Sequence, residues 1–143
     1  MENFYITKLK SKIEIKKAID IRKKVFIEEQ KVPSDIEIDG LDQKSEHFLA
    51  YLNNEAIGCA RLRENKGYVK LERIAVLKEY RNKKYGKKIT NFLINYCKNQ
   101  NANQIRLHSQ LTVVNFYKKF GFKPVGKIFL EAGIKHVEMY MDL

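Results

Sequence analysis

Two stretches of this chain carry residue types that could do chemistry. One is Glu72, an acid inside the otherwise apolar strand-like run Tyr68–Val76; the other is a run of bases around one glycine, Arg81-Asn-Lys-Lys84-Tyr-Gly86-Lys-Lys88. Burial in a strand raises a carboxyl pKa toward that of a working general base, which makes Glu72 a candidate proton acceptor; at a sheet edge it would instead pair with Arg73 or Lys70. The basic run lies between a strand ending near Val76 and a helix beginning near Gly86. That geometry aims free backbone N–H groups and the positive helix end at one point, which suits a phosphate. Lys83, Lys84, Lys87 and Lys88 add charge for an anion bearing more than one negative group. A solvated basic loop before an ordinary helix is the plainer reading of the same residues.

The elements that must position these residues follow from periodicity. Residues 4–9 form a short apolar opening strand. Ser11-Lys-Ile-Glu14 has the form of a capping box, and Ile15, Ala18, Ile19, Val25 and Phe26 recur at helical spacing, which predicts a helix to about Gln30, ended by Pro33. Residues 34–45 read as an acidic turn. Residues 47–52 and 56–63 read as a hairpin through Asn53-Asn54-Glu55, and Tyr68–Val76 as a third strand of the same sheet. Ile89, Phe92, Leu93, Tyr96 and Cys97 make the stripe of an amphipathic helix. A strand over 105–109, a short helix over 113–120 closed by Gly121, and a final strand over 137–141 complete a mixed α/β order.

Composition narrows the class. With 143 residues, 44% of them hydrophobic, the chain reads as one globular domain, 1–143. Lys8, Lys10, Lys12, Glu14, Lys16 and Lys17 break up any signal peptide or membrane span at the N-terminus, so a soluble, cytoplasmic protein without a membrane partner is expected. Cys59 and Cys97 stand far apart with no second ligand at metal spacing; no metal and no disulfide are expected, and both read as buried small hydrophobes. The formal charge of +11 comes mostly from Lys scattered along the whole chain, so nucleic acid is set aside as the main partner. A local basic site for a phosphorylated small molecule stays open.

Residues Leu71 to Ile89 resemble the acetyl-CoA segment of the GNAT superfamily of N-acetyltransferases, whose turn follows Arg/Gln-x-x-Gly-x-Gly/Ala. Here it stands as Arg81-Asn-Lys-Lys84-Tyr-Gly86, with the second glycine present and Lys84 in place of the first. Asn115-Phe-Tyr-Lys-Lys-Phe-Gly-Phe122 resembles the family's later helix and strand. Arg22-x-x-Val-Phe-x-x-Glu-Gln30, Glu37-x-Asp39, Glu46-His47, Gly67 to Leu77 and Phe129-Leu-Glu-Ala-Gly-Ile-Lys-His136 are similar to the small bacterial YjcF/ElaA-like group, over nearly the whole chain.

The resemblance implies an α/β (α+β) GNAT-like fold: a central twisted mixed sheet of six or seven strands, splayed between strands 4 and 5 and flanked by about four helices. It implies acetyl-CoA as co-substrate, its pantetheine arm along the backbone of Ile74, Ala75 and Val76. Its pyrophosphate would rest on the amides of Arg81, Asn82, Lys83, Lys84, Tyr85, Gly86 and Lys87, with Asn115 and Tyr117 also at the cofactor. A left-handed residue at Lys84 would cost about 1 kcal/mol relative to glycine. The implied reaction is direct attack of a primary amine of a small molecule or peptide on the thioester through a tetrahedral oxyanion. Tyr117 would protonate the leaving thiolate, an N–H near Ile74 would hold the oxyanion, and Glu72 would be the general base, with His108 and His136 in reserve.

For the acceptor, the resemblance points to Glu28, Glu29, Glu37 and Asp39 as acids favouring a cationic amine, and to His47, Arg61, His108 and His136 as readers of a carboxylate or phosphate. Two alternatives remain: an amino-sugar enzyme of the glucosamine 6-phosphate type, and an acyl-CoA-binding protein without turnover. A homodimer is compatible with the resemblance.

Overall fold

Ser11 separates the first strand from the first helix. Its Oγ accepts the Glu14 N–H at 3.1 Å, satisfying a free donor of the first turn. Helix α1 (Lys12–Arg22) then runs into a wider π-helical stretch, Lys23–Glu29. In the computed structural model, which describes residues 2–143, the acidic segment expected as a turn folds instead into α2 (Ser34–Glu37) and a tight turn, Asp42–Lys44.

Strands β1 (Phe4–Lys8), β2 (Glu46–Leu52), β3 (Glu55–Asn65) and β4 (Tyr68–Val76) pair antiparallel in that order. The β2–β3 turn is made by Asn53 and Asn54 at φ 49° and 69°, the left-handed pair that a two-residue hairpin needs and that Asn tolerates. Helix α3 (Tyr85–Asn99) crosses over to β5 (Gln104–Gln110), which therefore returns parallel to β4. After α4 (Val114–Lys118) come β6 (Lys123–Glu131) and β7 (Ile134–Asp142), giving the sheet order β1-β2-β3-β4-β5-β7-β6. Among the described residues this makes seven strands and four α-helices, the mixed sheet the resemblance implied.

The parallel pair creates the site. β4 and β5 are in register only at Val69↔Ile105, Lys70↔Arg106 and Leu71↔Leu107; both strands continue past this point, to Val76 and Gln110, without pairing with each other. The two faces of the sheet around the split are covered by different layers. On one face α3 buries Ile89, Leu93, Ile94 and Cys97 against Phe48, Leu71, Leu107 and Met139. On the other, α1 and the π stretch bury Ala18, Ile21 and Val25 on Leu49, Cys59 and Ala75. Each fully buried aliphatic side chain such as Leu93 contributes about 1.5–3 kcal/mol. Cys59 and Cys97 are core residues, as expected, and burial pushes their thiols up to about 12 and about 11.

Strand β6 has no counterpart in the periodicity. It is a sheet edge, mostly exposed, with Pro124 near its start and a register shift between Val125 and Phe129 around Gly126.

Candidate active site

The split opens into a cleft of about 1310 Å³ that runs between β4 and β5 from the α3 N-terminus to the β6–β7 turn. At one end lies the basic turn. No backbone N–H from Asn82 to Lys87 donates to a protein acceptor among the described residues; the first regular helical bond of α3 is Lys88 N–H to Lys84 O at 3.1 Å. Six consecutive donors at a helix start are a set that could hold an anion. Lys84 is left-handed (φ 68°, ψ 13°), the conformation its glycine counterpart would adopt freely, and Asn82 is left-handed too (φ 63°). A Cβ at Gly86 would meet only Phe116 Cζ, at 3.8 Å, so the fold itself does not demand glycine there.

The side chains of the turn divide. Asn82, Lys84 and Lys87 line the cleft. Lys88 instead lies over the rings of Phe4 and Tyr85, at 5.1 and 5.6 Å, on the far side of α3. Tyr85 is itself core, stacked on Phe4 at 5.1 Å with its hydroxyl donating to Glu2, so it offers the cleft its backbone and not its ring. Lys83 does not line the cleft. Arg81 donates through Nε to Val76 O at 2.9 Å and forks onto Glu29, Nη2 to Oε1 at 2.7 Å. Glu29, expected at the acceptor wall, is thereby a clamp on the basic turn outside the cleft lining, and its carboxyl is lowered by the hydrogen bonds from Arg81.

Beyond the split, β4 carries a bulge: Arg61 pairs with Glu72 and Cys59 with Ala75, leaving Arg73 and Ile74 opposite Ala60 alone. Arg73 sits at φ 56°, left-handed in a strand. Tethers hold it there: Nε donates to Glu37 Oε1 at 3.1 Å and Nη2 to Asp39 Oδ2 at 3.3 Å. Glu37, 1% exposed, is in turn gripped by Arg22, Nε to Oε1 at 2.7 Å, and Asp39 by Arg61, Nη2 to Oδ2 at 2.8 Å. Glu37 and Asp39 thus line the cleft with their charges already matched, and Asp39 is held far below the ordinary carboxylate range because those bonds outweigh its partial burial.

Glu72 differs from the expectation placed on it. Burial does push its pKa up, but the hydrogen bond from Arg63 and the charges of Arg61 and Lys70 outweigh it, and the net shift is downward. Arg63 Nε lies 2.9 Å, Arg61 Nη2 3.2 Å and Lys70 Nζ 3.6 Å from its carboxylate. A carboxylate stabilised in its ionised form is a weaker base.

Across the split, Tyr117 on α4 lines the cleft between Phe116 and Phe122, ring centroids 5.1 and 5.9 Å away. Burial pushes its phenol up to about 12, so it keeps its proton at neutral pH. Asn115, on the exposed side of the same short helix, does not line the cleft. His47 does not either: it is 2% exposed, with Nε2 2.8 Å from Asp42 O, and holds the β2 start to the preceding turn. Arg61 is fully buried under the acidic loop. His108 and His136 do reach the cleft, where they flank Glu131, an acid to which the sequence alone assigns no role. The signal available was the Ala132-Gly133 pair, both left-handed here, which folds Glu131 back toward His136.

Among the described residues no group of three or more His, Cys, Asp or Glu is arranged to hold a metal ion, and no helix is long and apolar enough to cross a membrane.

Residues 14–143 match the family model described as an acetyltransferase (GNAT) domain. The chain is 40% identical over 134 residues to the "Uncharacterized N-acetyltransferase YjcF" of Bacillus subtilis (strain 168), covering 93% of this chain and 96% of that one. The crystal structure of Escherichia coli ElaA superposes with a TM-score of 0.88 at 27% identity, over 96% of this chain and 99% of its own. A GNAT family acetyltransferase from Elizabethkingia anophelis with acetyl-CoA bound superposes at 0.78 and 21% identity, over 99% of both chains.

Proposed function

Because the chain belongs to the GNAT acetyltransferase family, we propose that it transfers an acetyl group from acetyl-CoA to a primary amine of a small molecule or peptide by direct attack. The observation that carries this reading is the run of six unpartnered amides, Asn82 to Lys87, opening onto the unpaired stretch of β4. These donors, with Lys84 and Lys87, suit a pyrophosphate, and the β5-facing side of β4 at Ile74, Ala75 and Val76, which no strand covers among the described residues and where Val76 O accepts from Arg81 Nε, suits an extended amide-bearing arm. The acetyl-CoA bound in the Elizabethkingia neighbour, a likeness of fold, is consistent with the same use of the split.

When bound, acetyl-CoA supplies the activated acetyl group. The protein's own part is orientation and proton handling. A backbone N–H near Ile74, beside the β4 bulge that Glu37 and Asp39 hold through Arg73, would serve the developing oxyanion. Tyr117, kept protonated by burial, donates to the departing sulfur. Glu72, locked among three cations, orders Arg63 and Lys70 at the cleft wall and is a poor acceptor, so the proton that the amine loses goes to Nε2 of His136, which also lines the cleft, directly or through water.

Those same bases favour a second reading of the acceptor. Arg63 and Lys70 on the cleft wall could receive a phosphate, as a phosphorylated amino sugar would offer. The test is thiol release from acetyl-CoA with spermidine, dipeptides and glucosamine 6-phosphate as acceptors. Release with any amine supports the transferase reading and ranks the acceptors. Tight acetyl-CoA binding with no release across the panel would favour an acyl-CoA-binding protein without turnover.

A further inference from the structure

Four carboxylates line the cleft: Glu37, Asp39, Glu72 and Glu131. Three are already matched by guanidinium or ammonium groups within 3.6 Å. Glu131 is the exception. Its close partners are two imidazoles, His108 Nδ1 at 3.2 Å and His136 Nε2 at 3.6 Å.

The state of His136 sharpens the point. Its Nδ1 lies 2.7 Å from Ile134 O, and a carbonyl can only accept, so Nδ1 carries the hydrogen. In the neutral ring Nε2 then presents a lone pair, and it faces another acceptor, Glu131 Oε2. In that neutral ring two acceptors converge with no donor between them, whereas a protonated ring would donate Nε2–H to Glu131 itself. The rings are not free to turn away: Phe129 stacks on His136 at 5.9 Å and meets His108 edge-on at 4.9 Å.

The position is also suitable. Ile105 and Leu107 of β5 and Val137 and Met139 of β7 point into the core beneath α3, so the alternate residues His108, His136 and Glu138 share the opposite face. His136 pairs with Gln110, the last residue of β5, beside the split and in the same cleft as Tyr117 and the basic turn.

We infer that Glu131 and His136 form the pocket for the acceptor's ammonium group, the nitrogen donating one N–H to Glu131 Oε2 and another to His136 Nε2, with Phe129 as the apolar wall. This rests on the transferase reading for its role and names the class of acceptor: a primary amine with at least two N–H donors free, and not a quaternary ammonium. The Glu131 carboxyl is lowered, first by the hydrogen bond from His108 and further by nearby positive charge, Lys70 included, so the carboxylate form is favoured.

The chain has three histidines, so the imidazoles are individually readable by ¹⁵N-edited NMR. The probe is n-butylammonium chloride, with tetramethylammonium chloride and sodium chloride as controls. In the free protein His136 should show the Nδ1–H tautomer. On titration the His136 and His108 signals should shift saturably and His47 should not, while the controls leave all three in place. Glu131→Gln, at an exposed turn where the fold tolerates it, should weaken the response about tenfold or more, as loss of a charged hydrogen-bond partner does. An Nε2–H tautomer at His136, equal shifts with tetramethylammonium, or an unchanged response in Glu131→Gln would each overturn the inference. Calorimetry with acetyl-CoA on the same samples separates the two levels: intact acetyl-CoA binding with no ammonium response sinks this site alone, whereas absent acetyl-CoA binding sinks the transferase reading.

Discussion

Lys84 stands where the family pattern has glycine, and its backbone is left-handed at φ 68° and ψ 13°. A side chain there costs about 1–2 kcal/mol relative to glycine. Lys84→Gly removes that cost but widens the unfolded ensemble, which returns about 0.4–1 kcal/mol. The expected net stabilisation is about 0.5–1 kcal/mol, a rise in Tm of about 1–4 °C for a chain of this length. Lys84→Ala is the control, because it removes the same exposed charge and keeps the Cβ. It should match wild type within about 0.5 kcal/mol. The assay is scanning calorimetry of the three proteins, followed by titration with acetyl-CoA. Both variants lose one cation from the cradle and should bind about 2–5-fold more weakly, as for an exposed ionic contact. If Lys84→Ala proves as stable as Lys84→Gly, the conformational argument is wrong.

Tyr117→Phe should lower kcat by about 10²-fold or more and leave acetyl-CoA affinity within about twofold, measured by steady-state kinetics and calorimetry. The same variant reports on pH: the phenol at about 12 in the folded state, against about 10 unfolded, stabilises the protein fully below pH 10, and that contribution of about 2–3 kcal/mol is lost as pH rises from 10 to 12. Urea melts across that window should therefore fall more steeply for wild type than for Tyr117→Phe. Glu37→Ala leaves buried Arg22 with Asp42 as its one carboxylate, beside the retained carbonyl of residue 37, and should destabilise by about 3–5 kcal/mol in the same melts; a loss under 1 kcal/mol would mean the network is not structural. His136→Gln keeps an acceptor beside Glu131 but cannot take up a proton, so kcat on the preferred amine should fall about 10²-fold with KM changed far less.

The helical stripe of α3, the Asn53-Asn54 hairpin and β4 were legible because each buries one face at a regular period or uses residues with a strong local preference. Strand β6 was not, since an exposed edge has no buried face to impose alternation and its Pro124 and Gly126 argue locally against a strand. The basic turn was readable for the same local reason as α3: charge, glycine and helix start are adjacent in the chain. The surroundings of Glu72 and Glu29 are not legible in the sequence, because a carboxylate's chemistry depends on which cations come near it in space. Arg61 and Arg63 arrive from the neighbouring strand, and Arg81 lies 52 residues beyond Glu29. The left-handed Arg73 had no signal of its own, as acids from α2 and the following loop hold it in place. The setting of Glu131 is likewise spatial: His108 and His136 reach it from β5 and β7, and only the folded cleft brings the three together.

Calorimetric titration of acetyl-CoA into wild type and Gly86→Val tests the central claim most directly. The valine Cβ faces only Phe116 at 3.8 Å, so the variant should fold normally while its branches crowd the approach to the cradle. Binding at about micromolar Kd by wild type, abolished in folded Gly86→Val, is the predicted result. No binding by wild type at millimolar acetyl-CoA, or equal affinity in both proteins, would contradict the assignment of the basic turn as the pyrophosphate cradle.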